Sequence, residues 1–324
     1  MPLFDDRRSF LIASACAATS ALPAWAHAQA SPRGSVPAQL RIGFQKSSVN
    51  LVVLKQRGLL ERAFPGTRLQ WVEFPAGPQI LEALSVGSLD VGFTGDSPPV
   101  FAQSAGKSLL YIGAELPKPQ SSAILVPASS PLRVLGDLRG KRVAFQRGSS
   151  AHFLVVRALA KAGVPWADIQ PLYLTPSEAR AAFERGSVDA WGIWDPFYAA
   201  AEVDVKPRVL SNGVGLSDNN SFYLGHPDWV RAHPQAVTAL LNSLTEVDRW
   251  VQANRPDAAR LLSEFSGLGL ATVFKFLERR PATPTRPLWP ELIAEQQRVA
   301  DTFHQQGLIP KAVKVSEVVW QARS

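Results

Sequence analysis

Apolar strands and apolar-faced helices alternate along residues 39–202, with turn residues between them. Short β-branched and aromatic runs predict strands, and apolar positions three and four apart predict helices. The predicted strands cover residues 40–45, 69–74, 90–94, 109–113, 122–126, 142–146, 171–174 and 189–194. The predicted helices cover residues 49–62, 79–86, 100–105, 151–163, 176–185 and 196–202. This alternation is typical of parallel sheets with helices on both faces, so we predict an α/β fold.

The pattern changes to helices alone after residue 228, with helices predicted over residues 234–253, 256–265, 270–277 and 290–305. The turn cluster at residues 127–131 predicts a crossing into a second lobe, and the apolar run 222–224 predicts the return. We therefore predict two lobes with a ligand cleft between them. Lobe 1 comprises residues 39–126 and 226–324, and lobe 2 comprises residues 127–225. The helical tail is expected to pack on lobe 1.

Two segments of the first predicted lobe recur in the second. Arg142–Ser150 repeats Arg41–Ser48 with its first residue shifted by 101 positions, and Gly186–Asp195 repeats Gly87–Asp96 at a shift of 99. A nearly constant shift over two separate motifs indicates two similarly built α/β halves.

Each repeat places polar residues where a strand gives way to a helix, at positions 45–48, 95–98, 148–151 and 194–196. In open α/β sheets, ligands bind outside the carboxyl ends of the strands. The free N–H groups and partial positive charge of a helix N-terminus suit an anion. We therefore expect all four corners to face one cleft.

The corner after strand 142–146 offers the richest set of donors. Gly148 permits the turn, Ser149 and Ser150 supply hydroxyls, and Ala151 supplies a backbone N–H. These groups suit a tetrahedral anion such as a sulfonate, which stays ionised at physiological pH and only accepts hydrogen bonds. The alternative interpretation is that Ser150 is only a helix N-cap.

The other corners complete the predicted site. The matching corner of the first lobe carries an amide and two hydroxyls, from Gln45, Ser47 and Ser48. Trp194 lies near a strand end and is predicted to wall an alkyl tail in the cleft. Asp96 and Asp195 have two interpretations: they cap helices and fix the corners, or they contact a donor on the ligand.

Composition excludes several classes of protein. The chain has 324 residues, of which 46% are hydrophobic and 19% charged, as in a soluble globular protein. The net charge is +7, but the basic residues are scattered, so nucleic-acid binding is not expected. The histidines lack metal-ligand spacing, and no Walker A run or Gly-x-Ser-x-Gly elbow is present. We predict no metal, no cofactor and no catalytic residue.

Residues 1–28 are predicted to be an export signal, which would take the mature protein out of the cytoplasm. Arg7 and Arg8 precede an Ala-rich apolar run, and a small-x-small cleavage site follows. The Arg pair also resembles a twin-arginine signal. The chain's only cysteine, Cys16, lies in this segment, so the mature chain would have no thiolate nucleophile. A lipid anchor on Cys16 is the alternative, although the apolar run before it is short.

Motifs across the mature chain closely resemble the aliphatic sulfonate-binding proteins of bacterial ABC importers. They are Phe44–Lys46, Trp71–Gln79, Gly95–Pro99, Phe145–His152 and Asp189–Pro196. The likeness continues at Ser221–Leu224, Leu308–Lys311, Trp320 and Gln321.

This resemblance implies a two-lobed type II periplasmic binding protein. Such a protein captures an alkanesulfonate and delivers it to a membrane permease with an ATPase, supplying sulfur. The binding positions implied by the family are Gln45, Ser47, Gly95, Asp96, Ser122, Ser149, Ser150, Trp194 and Asp195. The corners add Ser48, Ser97, Gly148 and Ala151 to this set. Relatives often have Gly at the position of Ser47, so we expect a narrower cleft here.

Other functions remain open at this point. The same fold binds taurine, nitrate or a thiamine-precursor pyrimidine, and a taurine binder needs an acidic group such as Asp96 or Asp195. Desulfinases that share the fold use a cysteine nucleophile, which the mature chain lacks. The effector domain of a transcription regulator would need a basic helix-turn-helix segment in place of the signal. We predict a monomeric binding protein that does not span the membrane.

Overall fold

The computed structural model describes residues 36–321, so the predicted signal and Cys16 lie outside the described residues. The strands of this part are β1 (Gln39–Phe44), β2 (Arg68–Glu73), β3 (Val91–Gly95), β4 (Leu110–Glu115), β5 (Ser122–Val126), β6 (Arg142–Phe145), β7 (Gln170–Tyr173), β8 (Ala190–Trp194), β9 (Arg208–Asn212) and β10 (Ser221–Gly225).

The α-helices of the same part are α1 (Val49–Gln56), α2 (Leu59–Ala63), α3 (Gly77–Ser85), α4 (Ser97–Ser104), α5 (Ser150–Lys161), α6 (Pro176–Glu184), α7 (Phe197–Asp204), α8 (Pro227–Ala232), α9 (Pro234–Ala253), α10 (Arg255–Ser266), α11 (Leu270–Glu278) and α12 (Pro290–Gln305). The predicted order of strands and helices is confirmed. The predicted helix 49–62 is two helices, because Gly58 adopts φ = 58° and ends the first.

The strands form two five-stranded sheets, in the orders β2-β1-β3-β10-β4 and β7-β6-β8-β5-β9. We call each sheet with its helices a lobe: α5, α6 and α7 pack on the second sheet, and the remaining helices pack on the first. The predicted two-lobed α/β fold is therefore confirmed.

The alternation of strands and helices predicted parallel sheets, but each sheet is mixed, because it takes in one antiparallel strand. β10 pairs antiparallel with β3 and β4, and β5 pairs antiparallel with β8 and β9. The chain therefore crosses to the second lobe before β5 and returns to the first lobe before β10. The sequence analysis placed these two boundaries after the strands, at residues 126 and 225. Both strands are fully buried, so their apolar sequences fit either sheet equally well.

The helical tail covers both faces of the first sheet. On one face, Val237 and Leu244 of α9 pack in the same cluster as Tyr223. On the other, Phe303 of α12 packs in the same cluster as Phe222. Because successive residues of β10 point to opposite faces, this one strand anchors both layers of the tail.

The internal repeat predicts the same local structure in both lobes, and the structure contains it. Arg41 donates from its backbone N to Asp90 Oδ2 at 2.7 Å and from Nε to the same oxygen at 3.0 Å. Arg142 makes the same two bonds to Asp189 Oδ2, at 2.8 and 3.1 Å. Each pair fixes the start of one parallel strand against the start of its neighbour.

Candidate functional site

A cavity lies between the lobes, where β3 and β8 end and α5 begins. Seven residues of the sequence-predicted site line it: Gln45, Ser47, Gly95, Ser149, Ser150, Trp194 and Asp195. Six others lie behind this lining, in the loops and strands that support it: Ser48, Asp96, Ser97, Ser122, Gly148 and Ala151. The repeated corners of both lobes therefore meet at one place.

Ser149 and Ser150 have different surroundings. Ser149 caps α5: its hydroxyl donates to the carbonyl of Gln146 at 2.7 Å and accepts from the N–H of His152 at 3.4 Å. The Ser150 hydroxyl instead reaches across to the first lobe and hydrogen-bonds the carboxyl of Asp96. Ser149 thus shapes the turn, while Ser150 joins the two lobes at the cavity.

Gly148 and His152 shape the same turn. Gly148 adopts φ = 70°, and a Cβ there would lie 3.2 Å from the ring of Phe101 in the first lobe. Its N–H donates to Nδ1 of His152 at 3.2 Å. Burial lowers the pKa of His152 to about 3, so this imidazole stays neutral and keeps accepting that bond.

The corner of the first lobe is held in a similar way. The backbone N–H of Gln45 donates to the hydroxyl of Ser48 at 3.0 Å, and its side-chain Nε2 donates to the carbonyl of Phe93 at 3.1 Å. Lys46 Nζ donates to the carbonyl of Ser266 at 3.2 Å. Ser48 therefore acts through Gln45, and Ser47 is the hydroxyl of this corner that lines the cavity.

Asp96 is buried beside the cavity among neutral donors. The hydroxyl of Ser97 donates to its Oδ1 at 2.8 Å, and Gln296 Nε2 donates to its backbone carbonyl at 2.6 Å. Burial raises the pKa of Asp96 to about 6, although hydrogen bonds from Ser97 and Ser150 oppose that rise. Asp96 occupies the N-cap position of α4, but its side chain makes no capping hydrogen bond, and it lies behind the lining close to Ser150.

Asp195 forms a buried ion pair that the sequence did not suggest. Arg279 donates to both of its oxygens at 2.9 Å, from Nε and Nη2, and the N–H of Ala199 donates to Oδ1 at 3.0 Å. Burial raises the pKa of Asp195 to about 7, against the opposing effect of Arg279. The pair joins α11 of the first lobe to the end of β8 in the second.

Arg279 contacts two further groups of the second lobe. Its Nη1 lies 2.6 Å from Glu202 of α7, and its guanidinium lies 3.9 Å from the ring centre of Tyr198. Four contacts of one side chain across the lobes make this an interlobe clamp, defined by Arg279, Asp195, Glu202 and Tyr198.

Two buried cations line the cavity, and both were missed by the sequence analysis. Lys118 and Arg280 are 7% and 1% exposed and share the carboxylate of Glu115, which is fully buried. Lys118 Nζ lies 2.9 Å from Glu115 Oε2, and Arg280 donates to both oxygens at 3.1 Å. Although burial alone would raise the pKa of Glu115, the two cations lower it to about 2. The carboxylate is therefore charged, and a second buried carboxylate, that of Asp248, lies 3.9 Å from Arg280 Nη2.

One donor of this network remains free among the described residues. Arg280 Nη2 donates to the hydroxyl of Thr283 at 2.6 Å, and Asp248 holds that threonine in turn. Arg280 Nε is buried and has no hydrogen-bond partner in the described part of the chain. A free N–H on a buried cation suits an anionic acceptor, and Arg280 is one of the residues that line the cavity.

These cations lay outside the motifs that guided the prediction. Lys118 precedes the first crossing, next to Asn219 of the second, whose Nδ2 donates to its carbonyl at 3.2 Å. Arg280 follows α11. Arg279 and Arg280 are visible in the sequence as a pair after a predicted helix. Basic residues are common at helix C-termini because they interact favourably with the helix dipole, so the pair did not indicate a binding site.

The remaining lining gives the cavity its apolar walls and further polar groups. These residues are Gly77, Phe93, Pro98, Ser121, Asn219, Ser221 and Phe276. Within residues 36–321, no cluster of three or more His, Cys, Asp or Glu side chains is arranged to hold a metal ion. None of the helices in that part is long and apolar enough to cross a membrane.

Comparison with known proteins shows what the chain is similar to. A model of the NMT1-like family matches residues 33–265. The aliphatic sulfonates-binding protein of Escherichia coli (strain K12) is 46% identical over 287 residues, which are 89% of this chain and 90% of that protein.

Two solved structures are also close. The alkanesulfonate-binding protein SsuA from Xanthomonas axonopodis pv. citri, bound to MOPS, is 48% identical with a TM-score of 0.85, over 88% of this chain and 99% of that one. The periplasmic aliphatic sulphonate binding protein SsuA from Escherichia coli is 46% identical with a TM-score of 0.81, over 88% and 98%.

Proposed function

This chain belongs to the aliphatic sulfonate-binding proteins of the NMT1-like family, and from that premise we propose that it binds an aliphatic sulfonate between its lobes. It acts as the substrate-binding component of a bacterial importer and not as an enzyme. It works as a monomer in the periplasm, after export by the signal in residues 1–28, of the general or the twin-arginine type. It delivers its ligand to a permease with an ATPase.

The observation that carries the proposal is the set of donors that converge on the cavity from both lobes. Ser150 begins a helix in the second lobe, and Gln45 and Ser47 lie at the matching corner of the first. Arg280 adds a buried cation with an unpartnered N–H. A sulfonate has three acceptor oxygens and no proton to donate, so a site with donors and no free base suits it.

Binding follows from these contacts in a simple way. The anion exchanges its water for the hydroxyl, amide and guanidinium donors of the cavity. Its carbon chain lies against Trp194, Phe93 and Phe276. Because the donors come from both lobes, the ligand stabilises the closed arrangement, which the permease then recognises.

The cavity favours a simple sulfonate over taurine. Taurine carries an ammonium group, which needs an available carboxylate. Asp195 has both oxygens bound to Arg279, and Asp96 lies behind Ser150. The carboxylate of Asp195 is thus already paired with a cation, and Asp96 is not part of the cavity lining.

A thermal-shift screen of the protein without its signal tests the ligand class. The panel comprises ethanesulfonate, hexanesulfonate, taurine, sulfate, nitrate and a pyrimidine. A ligand at a hundredfold excess over its Kd adds about 2.7 kcal/mol to the free energy of unfolding. We expect a raised melting temperature with the alkanesulfonates. A rise only with taurine, nitrate or the pyrimidine would contradict the proposed ligand.

Removing both serine hydroxyls tests the site. Ser149→Ala with Ser150→Ala should weaken hexanesulfonate binding by about 2–4 kcal/mol, because the Ser150 hydroxyl that lines the cavity is lost together with the Ser149 cap that shapes this turn. Titration calorimetry measures the change. Ser104→Ala is the matched control, since this buried hydroxyl donates to Lys311 at 2.9 Å, away from the cavity. Unchanged affinity in the double variant would show that the anion binds elsewhere.

A further inference from the structure

A second depression lies beside the cavity at the border between the lobes. We call it the outer groove, and its walls are Glu73, Phe74, Pro75, Pro176, Ser177 and Phe197. Glu73 ends β2 and Phe74 and Pro75 follow it in the first lobe, and the other three residues begin α6 and α7 in the second. None of them lines the cavity described above.

The outer groove adjoins the cavity through shared loops. The ring of Phe197 meets the ring of Trp194 edge-on, with centroids 6.0 Å apart, and Trp194 lines the cavity. Lys46 lines the groove, while its neighbours Gln45 and Ser47 line the cavity. The loop after β2 likewise contributes Pro75 to the groove and Gly77 to the cavity. The cavity and the groove therefore share one aromatic pair and two loops.

The chemistry of the groove differs from that of the cavity. Its walls are two half-buried phenylalanines and two prolines. The ammonium of Lys46 is bound to the carbonyl of Ser266, and the carboxylate of Glu73 would repel an anion. The groove therefore suits hydrocarbon and disfavours a second sulfonate group.

We propose that the outer groove is a tail subsite, which holds the far end of a sulfonate whose head group occupies the cavity. This inference rests on the proposed function and deepens it. It names the preferred substrates as sulfonates with long alkyl or ring-bearing tails that extend past Trp194. Short sulfonates fill the cavity alone. Because the groove has walls from both lobes, a tail in it also adds contacts that hold the lobes together.

A chain-length series on the unmodified sequence gives the first test. Calorimetry would compare ethane-, butane-, hexane- and octanesulfonate. We expect affinity to rise by at least about tenfold along the series, since methylene groups enter an apolar site. The heat-capacity change on binding should become more negative with length. Equal affinities along the series would overturn the tail subsite and leave the proposed function standing.

Two variants test whether the dependence of affinity on tail length arises in the outer groove. Phe197→Ala removes a groove wall, and Ser177→Trp places a bulky ring in the groove. Each should lower the affinity ratio of octanesulfonate to ethanesulfonate by about tenfold. Phe274→Ala is the matched control, because this phenylalanine is exposed on α11 and lines neither the groove nor the cavity. It should leave the ratio unchanged.

Three results would overturn the inference in different ways. If Phe197→Ala weakens both ligands equally, the residue acts only by supporting Trp194. If Ser177→Trp leaves the ratio unchanged, the tail lies elsewhere. If no sulfonate binds the unmodified protein, the proposed function fails and the tail subsite fails with it.

Discussion

The central strands of the two sheets end at equivalent positions of the internal repeat, yet one ends in the smallest residue and the other in the largest. β3 ends at Gly95 and β8 ends at Trp194, at a shift of 99 positions. A Cβ at Gly95 would lie 2.0 Å from the hydroxyl oxygen of Ser150. Glycine therefore admits a donor from the opposite lobe, whereas Trp194 supplies a wall.

The next residue is aspartate in both lobes, but the groups that donate hydrogen bonds to the two carboxylates differ. Asp96 accepts hydrogen bonds from the neutral hydroxyls of Ser97 and Ser150. Asp195 accepts from the guanidinium of Arg279. Each aspartate is a link between lobes, but Asp96 lies behind the cavity lining and accepts from hydroxyls, whereas Asp195 lines the cavity and accepts from a cation.

This difference shows how a duplicated framework can serve one asymmetric ligand. The Arg–Asp pairs at the strand starts are alike in both lobes, so they preserve the framework. The strand ends face the cavity and have diverged. A sulfonate has a charged end and an apolar end, and the two corners supply a donor at one place and an aromatic wall at another.

Breaking the ionic link should have the largest effect. Arg279→Met leaves Asp195 buried without its cation and should cost roughly 3–5 kcal/mol in the free energy of unfolding at pH 8. Urea denaturation measures the cost. Arg180→Met is the matched control, because Arg180 also pairs with two carboxylates, Glu184 and Asp204, but on the surface. Its cost should stay below about 1 kcal/mol.

A similar small cost for both variants would show that the clamp contributes little to stability. Removing the charge of Asp195 as well should recover part of the loss, since Asp195→Asn leaves no unpaired carboxylate. A double-mutant cycle over Arg279 and Asp195 then gives the coupling energy of the pair.

Neutralising the other aspartate should alter the pH dependence of stability. The raised pKa of Asp96, about 6, means that the folded protein holds this proton at a pH where the unfolded chain has released it. The resulting stability is complete below about pH 4 and is lost as the pH rises to about 6, by about 3 kcal/mol. Asp96→Asn should remove that slope from denaturation curves measured between pH 4 and 8. An unchanged slope would contradict the raised pKa.

The smallest effect should come from Gly95→Ala. The new methyl group displaces the hydroxyl of Ser150, so binding of an alkanesulfonate should weaken by about 1–2 kcal/mol. Adding Ser150→Ala should cause little further loss, because the displaced hydroxyl no longer contributes. Calorimetry on both variants checks this, and a full additional loss from the second change would show that Ser150 had not moved.

Much of the fold was predictable because the chain's periodicity is strong. α9 and α12 have the bounds predicted from the sequence. β9 was not predicted, since Arg208–Asn212 is a half-exposed edge strand without a continuous apolar run. The sheets to which β5 and β10 belong could not be predicted either, because the sequence of a buried apolar strand does not show which strand it pairs with.

The site was predictable where it lies within the repeat. Gln45, Ser150 and Trp194 were found at strand ends, where topology alone places a ligand. Lys118 and Arg280 were not found, because they are 162 positions apart and are brought together only by the shared carboxylate of Glu115. Local sequence cannot show such a pairing. The partner of Asp195 was missed for the same reason.

Each sheet contains one strand from the far side of a chain crossing, and this determines which sheet can be completed first during synthesis. β10 lies between β3 and β4, so the first sheet has an open slot in its middle until that strand arrives. A ribosome that has released the chain only as far as Asn220 has already supplied every strand of the second sheet. The lobe that begins first along the chain is therefore completed last, and β4 and one edge of β3 have no partner strand until β10 is made.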